Sequence, residues 1–556
     1  MKKLLLTLCA LFSIGSINAQ SWVNAVSIGA VQGTETTTYS VRDANGNLYV
    51  SSNFDGTRSF GAAGSQTSAG FFDVYVIKYN SAGGFEWFRK FGAVFAFTTA
   101  GGLALDASGN LYVAGTFTNQ IVLNSVPYSS AGGRDLFLAK LDPNGNTIWG
   151  KTAGSSSNEE SYSLSVTGSK IFLAGNYTAT FTDGSVTIPS PGGNEDVLVA
   201  SYNAANGTCL AMTRCGGSNS DAAFGVSASQ QAIYVTGTFK GAANFGTFNL
   251  TSANTSGPNP TSTPDMFIMK LDSLLNITWA YKAGAGSTDQ GNSVAQDAAG
   301  NAYVAGYFLG SVNFGNGVTL VEANGYGDGF LVKYNPSGTC QWGRKISSGV
   351  SDVATCVTTD PQGSCYVSGS FGVSATFSST VTPTVSLIST GLTDAFVAKW
   401  GTNGQLRWAV KLGSSGDDRA QSVCWNNNGF CSVVANYAAT LTVGSLGSFP
   451  TPGIGTFGQI VANYDGLTAG LNGVNSQVEL NVYPNPSNIG SLTITAPANA
   501  SVEYIAIFSI DGKLVLENNF IGGNEVQLNT AELAKGNYLL KVQTSKGSAT
   551  QQVQIQ

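Results

Sequence analysis

Short apolar runs recur along most of the chain, and each follows a turn rich in aspartate, asparagine and glycine. The stretch LDASGNLYVAGTF, residues 105–117, is one example. Within the runs, apolar residues are nearly continuous rather than alternating with polar ones, which favours strands that have neighbours on both faces. The pattern predicts an all-β fold built from repeated units.

Each repeat contains two recurring phrases. The first ends in an aromatic residue in all seven copies: Phe54, Phe117, Tyr177, Phe239, Phe308, Phe371 and Tyr437. The second, of the type DVYVIKY, starts with an aspartate in six copies: Asp73, Asp135, Asp196, Asp265, Asp328 and Asp394. These aspartates are 61 to 69 residues apart. A repeat of this length with four short strands predicts a seven-bladed β-propeller.

The two ends of the repeat region predict how the ring closes. We label the four strands of a repeat A to D in chain order. The seventh copy stops at Tyr464 without a strand D, whereas the segment SWVNAVSIGA around Trp22 matches the strand D of other repeats. An N-terminal outer strand that completes the last blade would remove both open sheet edges.

These repeats resemble the bacterial β-propeller repeat family, with its D..GN.YV.G.F and D.F..K phrases, over about residues 20–465. The resemblance implies the architecture. It does not imply an activity, because propellers include both enzymes and binding modules.

The C-terminal region has a different pattern. Residues 466–477 are small and polar and predict a linker. Residues 478–556 predict several strands and a small Ig-like β-sandwich, in which Tyr483-Pro484-Asn485-Pro486 ends the first strand.

This region resembles the C-terminal sorting domain of the type IX secretion system of Bacteroidota, through VYPNPS (482–487), SIDGKLV (509–515) and AKGNYLLKV (534–542). The resemblance implies that the type IX machinery is a partner and that the protein is secreted or carried to the outer cell surface. In that family the domain is commonly removed on export, and some cargo is then attached to lipopolysaccharide. An accessory adhesion sandwich is the alternative.

The first 19 residues have two lysines followed by an apolar run, as in a secretory signal peptide. Cleavage is predicted between Ala19 and Gln20. No later run is long and apolar enough to predict a transmembrane segment.

Composition and charge exclude several functions. The net charge of −6 argues against nucleic acid as a partner. The chain has no histidine, which excludes Ser-His-Asp and Cys-His catalysis and the commonest zinc ligand. No catalytic residue and no metal ligand set stands out.

Acidic residues recur at the end of the repeats where loop lengths vary. The strand C aspartates begin there, and a second set precedes strand A: Glu35, Glu159 or Glu160, Asp221, Asp289, Asp352 and Asp418. The second repeat has Thr98 at this position. Two rings of carboxylates are therefore expected to crown this face. Each acid is expected to accept backbone N–H groups and fix a loop, while a calcium, cationic or sugar ligand is the alternative.

Other recurring residues also lead to structural expectations. The strand C lysines are expected to be solvated strand ends: Lys78, Lys140, Lys270, Lys333 and Lys399. The strand D tryptophans are expected to anchor the outer strand: Trp87, Trp149, Trp279, Trp342 and Trp408. Cys424 and Cys431 flank a turn and predict a disulfide. Asp106 and Asn110 are expected to shape an A–B hairpin turn rather than a calcium loop.

The sequence therefore favours a secreted or cell-surface propeller that binds a glycan or a protein and is not an enzyme. No cofactor is expected, with calcium as the alternative. A carboxylate-based extracellular lyase or hydrolase and a structural surface-layer component are the other hypotheses. Non-repeating acids in a pocket would indicate the enzyme, an aromatic-rich face the binding module, and an empty axial channel the structural component.

Overall fold

The computed structural model describes residues 21–31, 37–190, 194–253, 263–322, 325–379, 384–425, 430–451, 457–465, 480–488, 490–497, 500–509, 514–519, 523–544 and 547–556. Two compact units are separated at Gly466, a larger one, Trp22–Gly466, and a smaller one that contains Leu467–Gln556. The predicted signal peptide with Ala19 and Gln20, the predicted linker 466–477, and Glu35 lie outside the described residues.

The larger unit is built from four-stranded antiparallel groups, which we number as sheets 1 to 7 after the repeats. In the order A, B, C and D, the strands of sheet 1 are Tyr39–Arg42, Leu48–Phe54, Asp73–Tyr79 and Phe85–Phe91; those of sheet 2 are Thr98–Leu105, Leu111–Leu123, Val126–Leu141 and Thr147–Ala153; and those of sheet 3 are Glu159–Thr167, Lys170–Tyr177, Asp196–Asn203 and Cys209–Gly217. The strands of sheet 4 are Ala222–Ala228, Ile233–Phe239, Asp265–Leu271 and Ile277–Ala283, and those of sheet 5 are Gln290–Gln296, Ala302–Phe308, Asp328–Tyr334 and Cys340–Ser347. The strands of sheet 6 are Val353–Thr359, Cys365–Phe377, Val385–Trp400 and Leu406–Leu412, and those of sheet 7 are Arg419–Trp425, Phe430–Tyr437, Phe457–Asp465 and Ser21–Val31.

Short hairpins and two 3-10 helices occupy the B–C connections. The hairpin strands are Thr57–Ser59 with Ser65–Thr67, Phe181–Asp183 with Val186–Ile188, Ala242–Phe245 with Phe248–Thr251, Ser311–Asn313 with Thr319–Val321, and Leu441–Thr442 with Ser448–Phe449. The 3-10 helices are Gly61–Ala63 and Gly444–Leu446. In sheets 2 and 6 the long strands B and C form this hairpin themselves.

The A strands lie innermost. Each contacts the A strand of the next sheet, and Arg419–Trp425 of sheet 7 contacts Tyr39–Arg42 of sheet 1. The B and C strands are buried between neighbouring sheets; all seven residues of Asp73–Tyr79, for example, are buried. This burial explains why these strands are apolar at consecutive positions. The arrangement is all-β and propeller-like.

The first strand completes the last sheet. Ser21–Val31 is hydrogen-bonded to Phe457–Asp465 and lies in the outer position of sheet 7. The rings of Trp22 and Tyr464 meet edge to face at 5.1 Å between centroids. Ile28 is fully buried and packs in the same cluster as Val50 of sheet 1 and Val461 of sheet 7.

The A–B turns use their own acids, as predicted for Asp106. Its Oδ1 accepts the backbone N–H groups of Ser108 and Asn110 at 3.0 and 2.9 Å. Its Oδ2 accepts the Asn110 amide at 2.8 Å and the Tyr112 hydroxyl at 3.0 Å. Burial opposes ionisation of this carboxyl, but the hydrogen bonds from Asn110 and Tyr112 and the charge of Lys140 together lower the pKa of Asp106. The motif is a hairpin turn.

The smaller unit has two sheets around one core. One contains Asn481–Tyr483, Ser491–Thr495 and Glu525–Asn529, and the other contains Leu514–Asn519, Val502–Ser509, Gly536–Thr544 and Gly547–Ile555. Buried residues of both sheets form a single cluster that includes Ile494, Leu528, Ile505, Leu540 and Val553.

The Tyr483-Pro484-Asn485-Pro486 segment lies against the last strand of this unit. The Asn485 side-chain amide donates to the carbonyl oxygen of Gln552 at 2.8 Å and accepts the backbone N–H of Gln554 at 2.9 Å. The last strand therefore binds this segment through both the nitrogen and the oxygen of the Asn485 side-chain amide.

Candidate functional site

The strand C aspartates do not crown a face, contrary to the expectation. All six are at most 2% exposed: Asp73, Asp135, Asp196, Asp265, Asp328 and Asp394. Asp73 accepts Ala69 N at 2.7 Å and Gly70 N at 3.1 Å from the B–C loop that folds over it. The carboxylates of Asp135, Asp265 and Asp394 each accept a B–C loop N–H in the same way. Basic residues of strand D flank several of them; Lys345, for example, lies 3.2 Å from Asp328.

The acids before strand A are buried as well. At most 1% of each is exposed: Glu159, Asp221, Asp289, Asp352 and Asp418. Asp221 accepts Gly217 N and Lys240 N, both at 2.8 Å, and so joins the start of the D–A loop to the end of strand B. In sheet 3 this position is filled by Glu159, which accepts Ser155 N at 2.8 Å. These acids therefore fix the loops through hydrogen bonds from backbone N–H groups.

Acids of neighbouring sheets also approach each other. Burial raises the pKa of Asp221 to about 7, and the nearby Asp196 carboxyl adds to the shift. Burial likewise raises the pKa of Asp196 to about 6. A Cβ atom added to Gly216 would lie 2.2 Å from Asp196 and 2.8 Å from Asp221, so only glycine fits beside this pair. Among the described residues, no group of three or more acids or cysteines is arranged to hold a metal ion.

The strand C lysines are not solvated strand ends. Lys78 is 6% exposed, and its Nζ donates to the carbonyl oxygen of Pro143, in the next sheet, at 3.0 Å. The Trp87 indole donates to the same oxygen at 3.1 Å. The Lys78 ammonium also lies 5.2 Å from the ring centroid of Tyr49. Four of the five lysines donate to the C–D turn of the next sheet and so connect sheets: Lys78, Lys140, Lys270 and Lys333. Lys399 instead donates to the Tyr366 hydroxyl of its own sheet at 2.7 Å.

The predicted disulfide between Cys424 and Cys431 is absent, and both cysteines are free and buried. In the strand register, Cys431 pairs with Trp425, and Cys424 pairs with Ser432. Successive side chains of a strand point to opposite faces. The offset of one residue therefore places the two cysteines on opposite faces, and they belong to different core clusters.

The carboxylate pattern is interrupted between sheets 1 and 2, where Thr98 replaces the acid. Three phenylalanines are exposed at this junction: Phe71 by 52%, Phe95 by 71% and Phe97 by 46%. The rings of Phe71 and Phe97 are stacked, with centroids 4.7 Å apart and an interplanar angle of 20°. We call these three residues the aromatic platform. The sequence signal for it is the run FGAVFAFTT, residues 91–99, where other repeats have glycine, serine and aspartate.

Backbone hydrogen bonds hold the platform from both sides. On the sheet 1 side, Phe71 N donates to the carbonyl oxygen of Ala96 at 2.8 Å. On the sheet 2 side, Phe97 N donates to Thr118 Oγ1 at 3.0 Å, and the Asn119 amide donates to the carbonyl oxygen of Phe95 at 2.7 Å. The loop therefore presents its apolar rings in a defined position.

A second non-repeating cluster lies between sheets 2 and 3. Arg134 forms an ion pair with Glu160, which also accepts the Tyr162 hydroxyl. The Tyr39 hydroxyl donates to the carbonyl oxygen of Tyr162 at 2.7 Å, and the Tyr162 ring centroid lies 5.2 Å from that of Phe224. Aromatic side chains from three sheets therefore meet among the inner strands. The sequence leaves Glu159 and Glu160 as alternatives for the acid that precedes strand A in this repeat. The structure separates them, because Glu159 binds the loop at Ser155 and Glu160 pairs with Arg134.

Comparison with known families concerns the smaller unit. Residues 481–556 match the family of secretion system C-terminal sorting domains. A sorting domain of this family indicates export by the type IX system, to the cell surface or beyond it. Within the part of the chain that the structure describes, no helix has the length and hydrophobicity needed to cross a bilayer.

The chain is similar to proteins of several kinds. The chain is 27% identical over 444 residues to an uncharacterized WD repeat-containing protein, L264, of Acanthamoeba polyphaga mimivirus. That match covers 67% of this chain and 32% of the relative, so the chain spans about a third of the relative's length.

Two solved structures match the chain at low sequence identity and low TM-score. Quinohemoprotein alcohol dehydrogenase from Comamonas testosteroni is 9% identical, with a TM-score of 0.36, and the match covers 84% of this chain and 79% of that one. A PL25 ulvan lyase, a polysaccharide lyase, is 10% identical, with a TM-score of 0.34, covering 79% of this chain and 96% of that one.

Proposed function

We propose that the larger unit is a seven-bladed β-propeller, closed by strand Ser21–Val31, that serves as a glycan-binding module outside the cell. The contacts between successive A strands and the pairing of the first strand with Phe457–Asp465 support the closed ring. The smaller unit is then an Ig-like sorting sandwich of the Bacteroidota type, which delivers the propeller through the type IX system.

The aromatic platform is the observation that carries the binding function. Burying apolar surface contributes a favourable free energy of roughly 25 cal/mol per Å². A cluster of exposed rings is therefore a surface on which a ligand can bind favourably. Because hydrogen bonds on both sides already position Phe71 and Phe97, a ligand would not have to order them, which favours binding. Flat rings stack well on the apolar face of a sugar.

The buried acids support binding rather than catalysis. The repeated carboxyls, such as Asp221 and Asp289, are occupied by backbone N–H groups and do not reach solvent. The binding we propose requires no cofactor. The platform lies beside Thr98, where the second repeat lacks the acid that the other repeats have before strand A.

An array of immobilised glycans, probed with the full chain, tests the proposal. The Phe97→Ala variant should lose the glycan signal, because it removes one ring of the stacked pair. Leu392→Ala is the matched control, since Leu392 is an exposed apolar residue, 73% exposed, in strand C of sheet 6. Equal binding by both variants and the parent, or no binding by the parent, would rule the proposal out.

A further inference from the structure

We infer that the aromatic platform and the Arg134–Glu160 pair form one site, which takes an uncharged polysaccharide. This inference rests on the proposed glycan-binding function and adds the class of glycan and the residues that select it.

The two groups are neighbours in sheet 2. Phe97 and Thr118 exchange hydrogen bonds at 3.0 Å, from Phe97 N to Thr118 Oγ1 and from Thr118 N to the carbonyl oxygen of Phe97. Thr118 is in turn the cross-strand partner of Arg134. With strands about 4.8 Å apart, the backbones of Phe97 and Arg134 are about 10 Å apart. The rings lie towards sheet 1 and the arginine towards sheet 3, so a ligand that contacts both must extend across this end of sheet 2, as a polysaccharide chain can.

The backbone of Arg134 is fixed by a hydrogen bond, while its side chain remains accessible to a ligand. Its backbone N–H donates to the Asn158 side-chain oxygen at 3.0 Å, which fixes its position beside sheet 3. Its side chain is 59% exposed, whereas that of Glu160 is 19% exposed. A guanidinium group has five N–H donors, and the contact with Glu160 leaves others directed to solvent.

The charges select against anionic ligands. Glu160 compensates the charge of Arg134, and a carboxylate or sulfate would have to displace it. Burial, together with the negative charges of Glu160 and Glu195, holds the pKa of Tyr162 well above its usual value, so a second acid also lies near. Like charges weaken the binding of an anion at close range. Neighbouring sugar hydroxyls, in contrast, can accept from Arg134 and donate to Glu160 at once.

These residues do not follow the repeat. At the position of Arg134, before the strand C aspartate, the other repeats have Phe72, Glu195, Pro264, Gly327 and Thr393. At the position of Glu160, the other repeats have Thr99, Ala222, Gln290, Val353 and Arg419. The ion pair therefore occurs only at this junction among the described repeats, next to the platform, which also occurs once. A scaffold role shared by all sheets does not account for either.

The test uses the full chain and affinity electrophoresis in gels that contain laminarin or xyloglucan as neutral polysaccharides, or alginate or heparin as anionic ones. The parent should be retarded by a neutral polysaccharide and not by the anionic ones. Glu160→Gln should weaken the neutral interaction about tenfold, the effect of 1.4 kcal/mol, and should increase retardation by alginate because Arg134 loses its counter-charge. Gln290→Ala, at the position of Glu160 in sheet 5, is the matched control and should behave as the parent.

The outcomes separate this inference from the proposed function. If Phe97→Ala abolishes retardation while Glu160→Gln binds as the parent does, the platform binds glycans but the ion pair does not select them. If the parent is retarded only by alginate or heparin, or by no polysaccharide, the inference is overturned. Circular dichroism spectra and melting temperatures equal to those of the parent establish that each variant is folded.

Discussion

The indole nitrogen of Trp87 lies 3.1 Å from the carbonyl oxygen of Pro143, which belongs to the C–D turn of the next sheet. The same oxygen accepts Lys78. The arrangement returns where Lys270 and Trp279 donate to Pro336, and where Lys333 and Trp342 donate to Thr402. One carbonyl oxygen thus joins two strands of one sheet to a turn of its neighbour.

Trp408 provides an internal control for this contact. It occupies the same position in sheet 6, but sheet 7 has no C–D turn, because its outer strand comes from the N-terminus. Among the described residues, Trp408 Nε1 has no acceptor, and Trp149 Nε1 of sheet 2 also has none although sheet 3 has a C–D turn. We expect Trp87→Phe to lower the free energy of unfolding by about 1 kcal/mol more than Trp408→Phe, which is the net value of a typical hydrogen bond. Urea denaturation of both variants measures the difference, and equal losses would contradict the role of the shared carbonyl.

The first strand should stabilise the larger unit. Ile28 is fully buried where sheet 7 meets sheet 1. We expect Ile28→Ala to cost about 2–5 kcal/mol, the usual range for this truncation in a core, and deletion of residues 20–30 to lower the melting temperature sharply. Val23→Ala, on the exposed side of the same strand, should be nearly neutral. Unchanged thermal unfolding after the deletion would exclude closure by this strand.

Stability should fall as the pH rises from 5 to 8. Burial raises the pKa to about 7 for Glu159, Asp221, Asp289 and Asp352, and to about 6 for Asp196 and Asp418. In the unfolded chain such groups titrate near pH 4. The folded state therefore holds more protons between these values, and the stabilisation present below pH 4 is lost as the pH rises through 6 to 7.

Melting temperatures followed by circular dichroism in buffers from pH 5 to 8 measure this dependence. Asp289→Asn removes one titrating group and should flatten the slope. The lowered pKa of Asp106 acts only at more acidic pH, where its contribution decreases as the pH falls, so it does not mask the trend. A melting temperature that increases from pH 5 to 8 would show that the buried acids are not protonated in the folded state.

The sorting segment depends on the last strand. Asn485→Ala removes the hydrogen bonds to the backbones of Gln552 and Gln554. We expect this variant to reduce the fraction of protein found outside the cell, because the segment is no longer held in place. Immunoblots of medium, cell surface and cell extract, in a bacterium with the type IX system, measure this fraction. Asn518→Ala, on an exposed strand of the same unit, is the control; an equal effect of both variants would argue against a specific role.

The repeat and its turns could be predicted from the sequence because local chemistry determines them. Asp106 and Asn110 form their hairpin turn from neighbouring residues, and the continuous apolar runs reflect strands covered on both faces. For the strand C lysines and strand D tryptophans, the sequence predicted the positions in the repeat but not the contacts with the next sheet. Whether Lys78 is solvated depends on the C–D turn around Pro143, which is 65 residues away.

By itself, the sequence determined the all-β repeats, their hairpin turns and the similarity of the C-terminal region to a sorting domain. Each of these depends on contacts within a few residues or on a continuous motif. Only the tertiary structure showed that the acids are buried beneath the loops, that Cys424 and Cys431 lie on opposite faces, and that Phe71 and Phe97 stack across two sheets. The physical reason is that burial, strand register and side-chain pairing between sheets depend on which distant segments are brought together.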